Sequence, residues 1–117
     1  ESLLREQKDH LVIKPPDEYG GIGVCIGKKT DQAQWQTNID DALGRGNWLV
    51  QEYCDSLPFL CQAGEEGCAE HNVVFGGFTF GSTYAGSWVR VIPKAHPLGV
   101  INRLQGCQEG VIFEVDR

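Results

Sequence analysis

Residues Leu11–Gly27, Leu-Val-Ile-Lys-Pro-Pro-Asp-Glu-Tyr-Gly-Gly-Ile-Gly-Val-Cys-Ile-Gly, read as strand, glycine loop, strand. Leu11 to Ile13 is a short apolar, largely β-branched run, and Lys14 stands at its end. Pro15 and Pro16 forbid helix and stop the backbone ladder. Gly20, Gly21 and Gly23 let the chain turn with positive φ and approach a ligand without a Cβ clash. Val24 to Ile26 resumes extended structure. A lysine at a strand end beside a loop rich in free N–H groups is a candidate phosphate clamp, with charge from the ammonium and donors from the loop amides. The same residues also fit a plain β-hairpin with a solvated lysine. The stretch is not a Walker A loop, because no Gly-Lys-Ser/Thr follows the glycines. Nor is it a Rossmann fingerprint, which needs a helix directly after the loop where here a second strand follows.

Working outward, residues 1–10 are polar apart from Leu3 and Leu4 and read as the end of a helix leading into the first strand. Beyond the loop, Asp31 is a helix N-cap with Gln34 three residues on, as a capping box requires. Trp35, Ile39, Ala42 and Leu43 form one helical face, with Asp40 and Asp41 flanking it as a solvated pair. The spacing predicts a helix over Asp31 to Leu43, ended by Gly44 and Gly46. Trp48 to Tyr53 reads as a third strand. The first half is therefore β-β-α-β, one helix laid across a small sheet, which is an α+β unit.

The second half shows no good helix. Phe59 to Gln62 is a short strand and Ala63 to Glu70 an exposed acidic loop. Asn72 to Phe80, interrupted at Gly76-Gly77, and Tyr84 to Ile92 form an antiparallel pair around a turn at Gly81 to Thr83. Pro93 to Pro97 breaks it. Gly99 to Asn102 and Val111 to Val115 are predicted as two further short strands, separated by the polar segment Arg103 to Gly110. Within Trp88-Val89-Arg90-Val91, alternation puts Trp88 and Arg90 on one face and both valines on the other. Arg90 fits a solvated face or a phosphate contact, where its planar fork is well suited.

The chain has 117 residues, one domain or part of one. It contains no methionine, so Glu1 is expected to be an interior point of a longer protein or a processed end. The net charge of −6 argues against general nucleic-acid binding. It leaves room for a nucleotide, given one local cluster drawn from Lys14, Lys28, Lys29, Arg90 and Arg103. No apolar run approaches the length of a membrane span. The cysteines, Cys25, Cys54, Cys61, Cys68 and Cys107, are odd in number and irregular in spacing, unlike a disulfide framework. Cys54, Cys61 and Cys68 recur every seven residues with His71 three beyond, but no Cys-x-x-Cys supports a zinc site. Unpaired thiols, a buried Cys25 and a cytoplasmic location are expected.

With these elements placed, the chain resembles the C-terminal part of an ATP-grasp protein, from about Leu11 to Val115. The parts that carry the resemblance are Leu-Val-Ile-Lys-Pro at 11–15, Tyr-Gly-Gly-Ile-Gly-Val at 19–24 and Trp-Leu-Val-Gln-Glu-Tyr at 48–53. Phe-Gly-Gly at 75–77, Tyr-Ala-Gly-Ser-Trp-Val-Arg at 84–90 and Val-Ile-Asn at 100–102 complete it, the later ones most like the circularly permuted, glutathionylspermidine-synthase-like branch. The specificity lies in order and spacing rather than in any one part.

The resemblance implies a partial ATP-grasp-like domain, with a β-β-α-β subdomain over about 1–54 and an antiparallel β subdomain over about 55–117 around a nucleotide cleft. It implies that Lys14 contacts ATP phosphates, that Gly20, Gly21 and Gly23 fold over them, and that Val50 to Tyr53 runs along the adenine. Gln51 and Glu52 are then the side chains nearest the base and ribose, and Tyr53 joins them among the nucleotide-binding residues. It makes Arg90 the phosphate-facing catalytic arginine and Asn102 a Mg²⁺ ligand. The chemistry implied is activation of a small carboxylate as an acyl phosphate, followed by attack of an amine or thiol, with the rest of a parent chain supplying the carboxylate site. Two departures stand out. Val100 occupies the position of an expected acidic ligand, and Phe75 to Ile92 contains no Asp or Glu. Glu109, Glu114 and Asp116 lie downstream, out of the expected register. A non-catalytic ATP-grasp-like module that binds a nucleotide or a protein is the alternative.

Overall fold

The structure, a computed structural model, describes residues 1–62, 67–113 and 115. It is a mixed α+β chain with two antiparallel sheets and few helices. The chain divides into two compact units, Glu1–Asp55 with Pro97–Val100, and Ser56–His96 with Ile101–Arg117.

In the first unit, α1 (Ser2–Glu6) leads through a single 3-10 turn into β1 (Leu11–Lys14), followed by β2 (Cys25–Ile26), α2 (Gln32–Arg45) and β3 (Leu49–Glu52). β1 is central, antiparallel to both neighbours, in the order β2-β1-β3. Its alternation is decisive. Leu11 and Ile13 face α2 and are buried with Trp35 and Ile39, while Val12 and Lys14 point to the other side. Full burial of a side chain such as Ile13 or Ile39 stabilises the unit by about 1.5–3 kcal/mol. Trp35 ties α1 to this core, since its indole N–H donates to the Leu4 carbonyl at 2.8 Å. Arg5 adds a surface pair with Asp40 at 2.7 Å.

The helix starts as predicted, with the Asp31 carboxylate accepting from the Gln34 amide at 2.9 Å. The reciprocal half of a capping box is not made, because the Gln34 side chain donates to Asn38 instead. The end differs from expectation. Gly44 lies inside the helix, and Gly46 terminates it at φ 68°, its N–H reaching the Ala42 carbonyl at 3.0 Å. The predicted stripe is buried only at Trp35 and Ile39, while Leu43 remains half exposed at 49%. β3 is shorter than predicted, so Tyr53 lies beyond it, though its N–H still bonds the His10 carbonyl at 2.8 Å.

Cys25 is half-buried rather than buried, and its thiol is enclosed by hydrogen bonds. Gln34 donates to the Asn38 amide oxygen at 2.9 Å, and Asn38 donates to Cys25 Sγ at 3.0 Å. Thr30 sends its hydroxyl proton to the Ile26 carbonyl at 2.8 Å, which leaves Thr30 Oγ1, 3.3 Å from the sulfur, to accept the S–H.

In the second unit, β4 (Phe59–Gln62), β5 (Cys68–Phe80), β6 (Thr83–Pro93) and β7 (Gln108–Gly110) form one antiparallel sheet in that order. The long β5–β6 hairpin turns at Gly81-Ser82 and has a register shift at Phe78/Thr79. β5 begins at Cys68, inside the predicted loop, whose residues 63–66 lie outside those described. Gly76 and Gly77 do not interrupt it, because both keep their places in the ladder, opposite Trp88 and Ser87.

The two predicted C-terminal strands are corrected. Gly99 to Asn102 is irregular, as are Val111 to Phe113, and 114 lies outside the described residues. The strand in this region is the polar Gln108–Gly110, paired with Val89 to Val91. An edge strand needs backbone pairing on one side only and tolerates charge, so its composition does not mark it as a strand.

Candidate functional site

The first unit assembles Lys14, the glycine loop and Gln51. Lys14 ends β1 on the face away from α2. β3 runs antiparallel with Val12 opposite Gln51 and Lys14 opposite Leu49, so Gln51 shares that face. Lys14 Nζ donates to Gln51 Oε1 at 2.8 Å. An ammonium has three donors, so this bond leaves others for an anion.

The chain then leaves β1 at Pro15 and returns at Cys25 through a loop in which Gly20, Gly21 and Gly23 have φ of 67°, 80° and 72°. Two turn bonds close it, Ile22 N–H to the Tyr19 carbonyl at 3.1 Å and Val24 N–H to the Gly21 carbonyl at 3.3 Å. Gly23 is doubly constrained, since a Cβ there would also stand 2.8 Å from Cγ of Pro15. The loop is thus folded back on the proline that follows the lysine, and a side chain at 23 would force the two apart.

Glu52 and Tyr53 take other directions. Glu52 pairs with Leu11 and therefore lies on the α2 side of the sheet, opposite to Gln51. Tyr53 donates its hydroxyl to Asp55 at 2.9 Å. Lys28 reaches the other oxygen of Asp55 at 2.5 Å and stands 5.5 Å from the Tyr53 ring centroid. Burial, then the bond to Asp55, raises the Tyr53 phenol above its usual range, and Lys28 opposes this in part. The bond to Asp55 likewise raises the Lys28 ammonium. Lys28 is thus committed to a structural corner, whereas among the described residues Lys14 is held by a neutral amide.

The second unit carries Arg90 and Asn102. Arg90 lies in the middle of β6 and, as the alternation predicts, shares a face with Trp88; its Cζ is 3.7 Å from the indole centroid. Its Nε is buried and, among the described residues, has no hydrogen-bond partner. Glu109 of β7 is its register partner across the ladder and lies on the same face. Asn102 caps a 3-10 turn over Arg103–Gln105, its side-chain oxygen accepting from the Leu104 N–H at 3.0 Å. Glu114 and Asp116 lie outside the described residues.

Sequence reasoning placed Lys14 at a strand end, the glycines in a loop with positive φ, and Trp88 and Arg90 on a shared face. It missed two things. The Lys14–Gln51 bond depends on strand pairing that no local pattern reveals. The capping role of Asn102 had a readable signal, an Asn two residues before Leu104 with Gly106 closing the turn. Among the described residues, no helix is long and apolar enough to cross a membrane. Comparison with protein-family models, with curated proteins and with solved structures found no match for this chain.

Proposed function

We propose that this chain is the ATP-binding portion of an ATP-grasp carboxylate–amine or carboxylate–thiol ligase that works in the cytoplasm as part of a longer protein. The observation that carries the reading is Lys14 at the end of a central strand, followed by a loop whose glycines at 20, 21 and 23 all have positive φ. That combination offers a point charge and a flexible run of backbone donors to a triphosphate. Gln51 orients the lysine, and β3 offers its backbone to the adenine, with Glu52 at its end and Tyr53 just beyond it. In the second unit, the Arg90 fork suits the γ-phosphate.

In the proposed reaction a carboxylate oxygen of a small substrate attacks the γ-phosphorus and the bond to the bridging oxygen of ADP breaks. An amine or thiol then attacks the acyl carbon and phosphate leaves. The protein's part is positioning and charge stabilisation. Lys14 holds phosphate oxygens while charge moves onto the leaving ADP, and in the second unit Arg90 offers the same kind of charge.

Mg²⁺ accompanies ATP in this reading, and Asn102 is the residue proposed to touch it. The fit is partial. The Asn102 oxygen already accepts from Leu104, which leaves one lone pair for a metal. Val100 stands where an acidic ligand is expected, while Mg²⁺ prefers at least one carboxylate besides phosphate and water. These two facts favour the second reading, a non-catalytic ATP-grasp-like module that binds a nucleotide or a protein.

Calorimetry of the full-length protein with ATP, with and without Mg²⁺, tests both. Lys14→Ala and Arg90→Ala are each expected to weaken binding about tenfold or more, the loss of one charge-assisted hydrogen bond of roughly 1.5–3 kcal/mol. Asn102→Ala should mainly raise the Mg²⁺ requirement. Binding without turnover across carboxylate and amine panels favours the module. Equal affinity in the wild type and in the Lys14 and Arg90 variants overturns the assignment of these residues to the phosphates.

A further inference from the structure

We propose that Trp88 is a positioning residue for Arg90, holding the guanidinium flat so that its terminal edge meets a phosphate. The proposal rests on the nucleotide reading above and adds to it a residue that does not itself touch the ligand.

The geometry lies entirely within the β5–β6 ladder. Trp88 and Arg90 are two residues apart on β6 and share one face. Arg90 Cζ lies 3.7 Å from the centroid of the Trp88 ring, close enough for a stacked cation–π contact. The ring is itself braced. Phe78 of β5 stacks on it with centroids 6.3 Å apart and planes 29° apart. Residue 76, directly across the ladder from Trp88, is glycine, and a Cβ there would stand 3.0 Å from Cε3 of the indole. Gly76 therefore makes room for the indole in the place where a side chain would crowd it. Phe78, Trp88 and Arg90 form a column of flat groups along one face of the sheet.

The column decides which edge of the guanidinium is available. A guanidinium can bind an oxyanion in a bidentate way through Nε with one Nη, or through both Nη atoms. Arg90 Nε is buried and, among the described residues, has no hydrogen-bond partner; its burial closes that edge to a ligand and removes the first option. The two-Nη edge remains, and it is the one that points along the side chain to its end. Glu109 of β7, the register partner of Arg90, is the acidic neighbour on this face and competes with any bound anion.

The experiment measures Mg-ATP affinity for the full-length wild type and for Arg90→Ala, Trp88→Ala, Trp88→Phe, Gly76→Ala and the Trp88→Ala/Arg90→Ala pair. NMR follows the ring-current shift of the Arg90 side-chain protons in each protein that retains Arg90. We expect Trp88→Ala to weaken binding about tenfold and Trp88→Phe no more than about threefold, because a phenyl ring keeps the platform. The double variant should bind no more weakly than Arg90→Ala, since one residue acts through the other. Gly76→Ala should reduce both the ring-current shift and the affinity while Trp88 is retained, so the result does not depend on Trp88→Ala folding. If Arg90→Ala weakens binding but Trp88→Ala and Gly76→Ala do not, or if the Trp88 and Arg90 effects simply add, the positioning role is overturned and the nucleotide reading stands. If the wild type does not bind ATP, or binds it independently of Arg90, the nucleotide reading of this arm fails and the positioning role fails with it.

Discussion

Lys14 and Gln51 are joined diagonally across two strands, Nζ to Oε1 at 2.8 Å, on the sheet face that α2 does not cover. The bond lies near the surface and fixes one donor of a mobile ammonium without neutralising it. Its effect on stability is therefore small and its effect on aim is larger. Gln51→Ala is expected to leave stability within about 0.5 kcal/mol of wild type. It should weaken ATP binding about threefold, against about tenfold for Lys14→Ala. In the double variant the Gln51 effect should vanish, because there is no lysine left to orient. Calorimetry on the four proteins closes the cycle, and a full Gln51 effect in the absence of Lys14 would show that Gln51 acts on its own.

Gly23 and Gly44 should respond to alanine in opposite directions. Gly23 sits at φ 72° with Pro15 against the position of its missing Cβ. Alanine there takes on left-handed strain of about 1–2 kcal/mol, and the overlap with the ring adds to it. Gly44 lies inside α2, and the place a methyl group would take there has nothing within 4 Å. Alanine there should stabilise by about 0.5–1 kcal/mol, chiefly by restricting the unfolded chain. Urea unfolding of the two variants measures both, and a destabilised Gly44→Ala would mean that the helix ends before residue 44.

The same glycines mark where the sequence is legible and where it is not. Asp31 and the pairing of Trp35 with Ile39 locate α2, because capping and helical spacing are local properties. Its end is harder to read, because Gly44 is a weak helix former rather than a barrier, and only Gly46 adopts the positive-φ cap. Gly76 looks like a break in β5, but its lack of a side chain serves Trp88 on the neighbouring strand. The polar strand Gln108–Gly110 is outshone by apolar neighbours on either side, since edge pairing leaves little trace in composition. Of the candidate site, Lys14 and its loop are readable from adjacent residues. What Gln51, Glu52 and Tyr53 each face depends on the register with β1, and that register is a long-range fact.

Tyr53 gives a pH signature. Its phenol is raised by burial and by the bond to Asp55, and the Lys28 ammonium is raised by the same carboxylate. A group raised on folding contributes stability that is complete below its unfolded value, about 10 for tyrosine and 10.4 for lysine, and lost as pH climbs through the folded value. Both groups therefore weaken the first unit in alkali, above roughly pH 10, and neither acts in acid. Phenolate absorbance, read as the difference between wild type and Tyr53→Phe, should titrate above the ordinary tyrosine value. Asp55→Ala should bring that titration down, and a Tyr53 titration at or below the ordinary value would contradict the corner formed by Tyr53, Asp55 and Lys28.

The thiols should separate by accessibility. All five cysteines are free in the structure, with Cys54 and Cys68 exposed, Cys25 and Cys61 half-buried and Cys107 buried. Cys61 and Cys68 come near one another across β4 and β5, yet Cys61 pairs with Ala69 and Cys68 with Gln62. One register step puts their side chains on opposite faces, where a disulfide cannot span them. The Cys25 thiol donates to Thr30 and accepts from Asn38, so attack on it requires that network to open. In denaturant, without reductant, a chromogenic disulfide reagent should therefore find all five thiols. Under native conditions two should react fast, and substitution of Cys54 and Cys68 by serine should remove that phase. Asn38→Ala should speed the reaction of Cys25 while leaving the fast pair unchanged. Fewer than five thiols in denaturant, or a Cys25 as quick as Cys54 in the native protein, would refute this account of the cysteines.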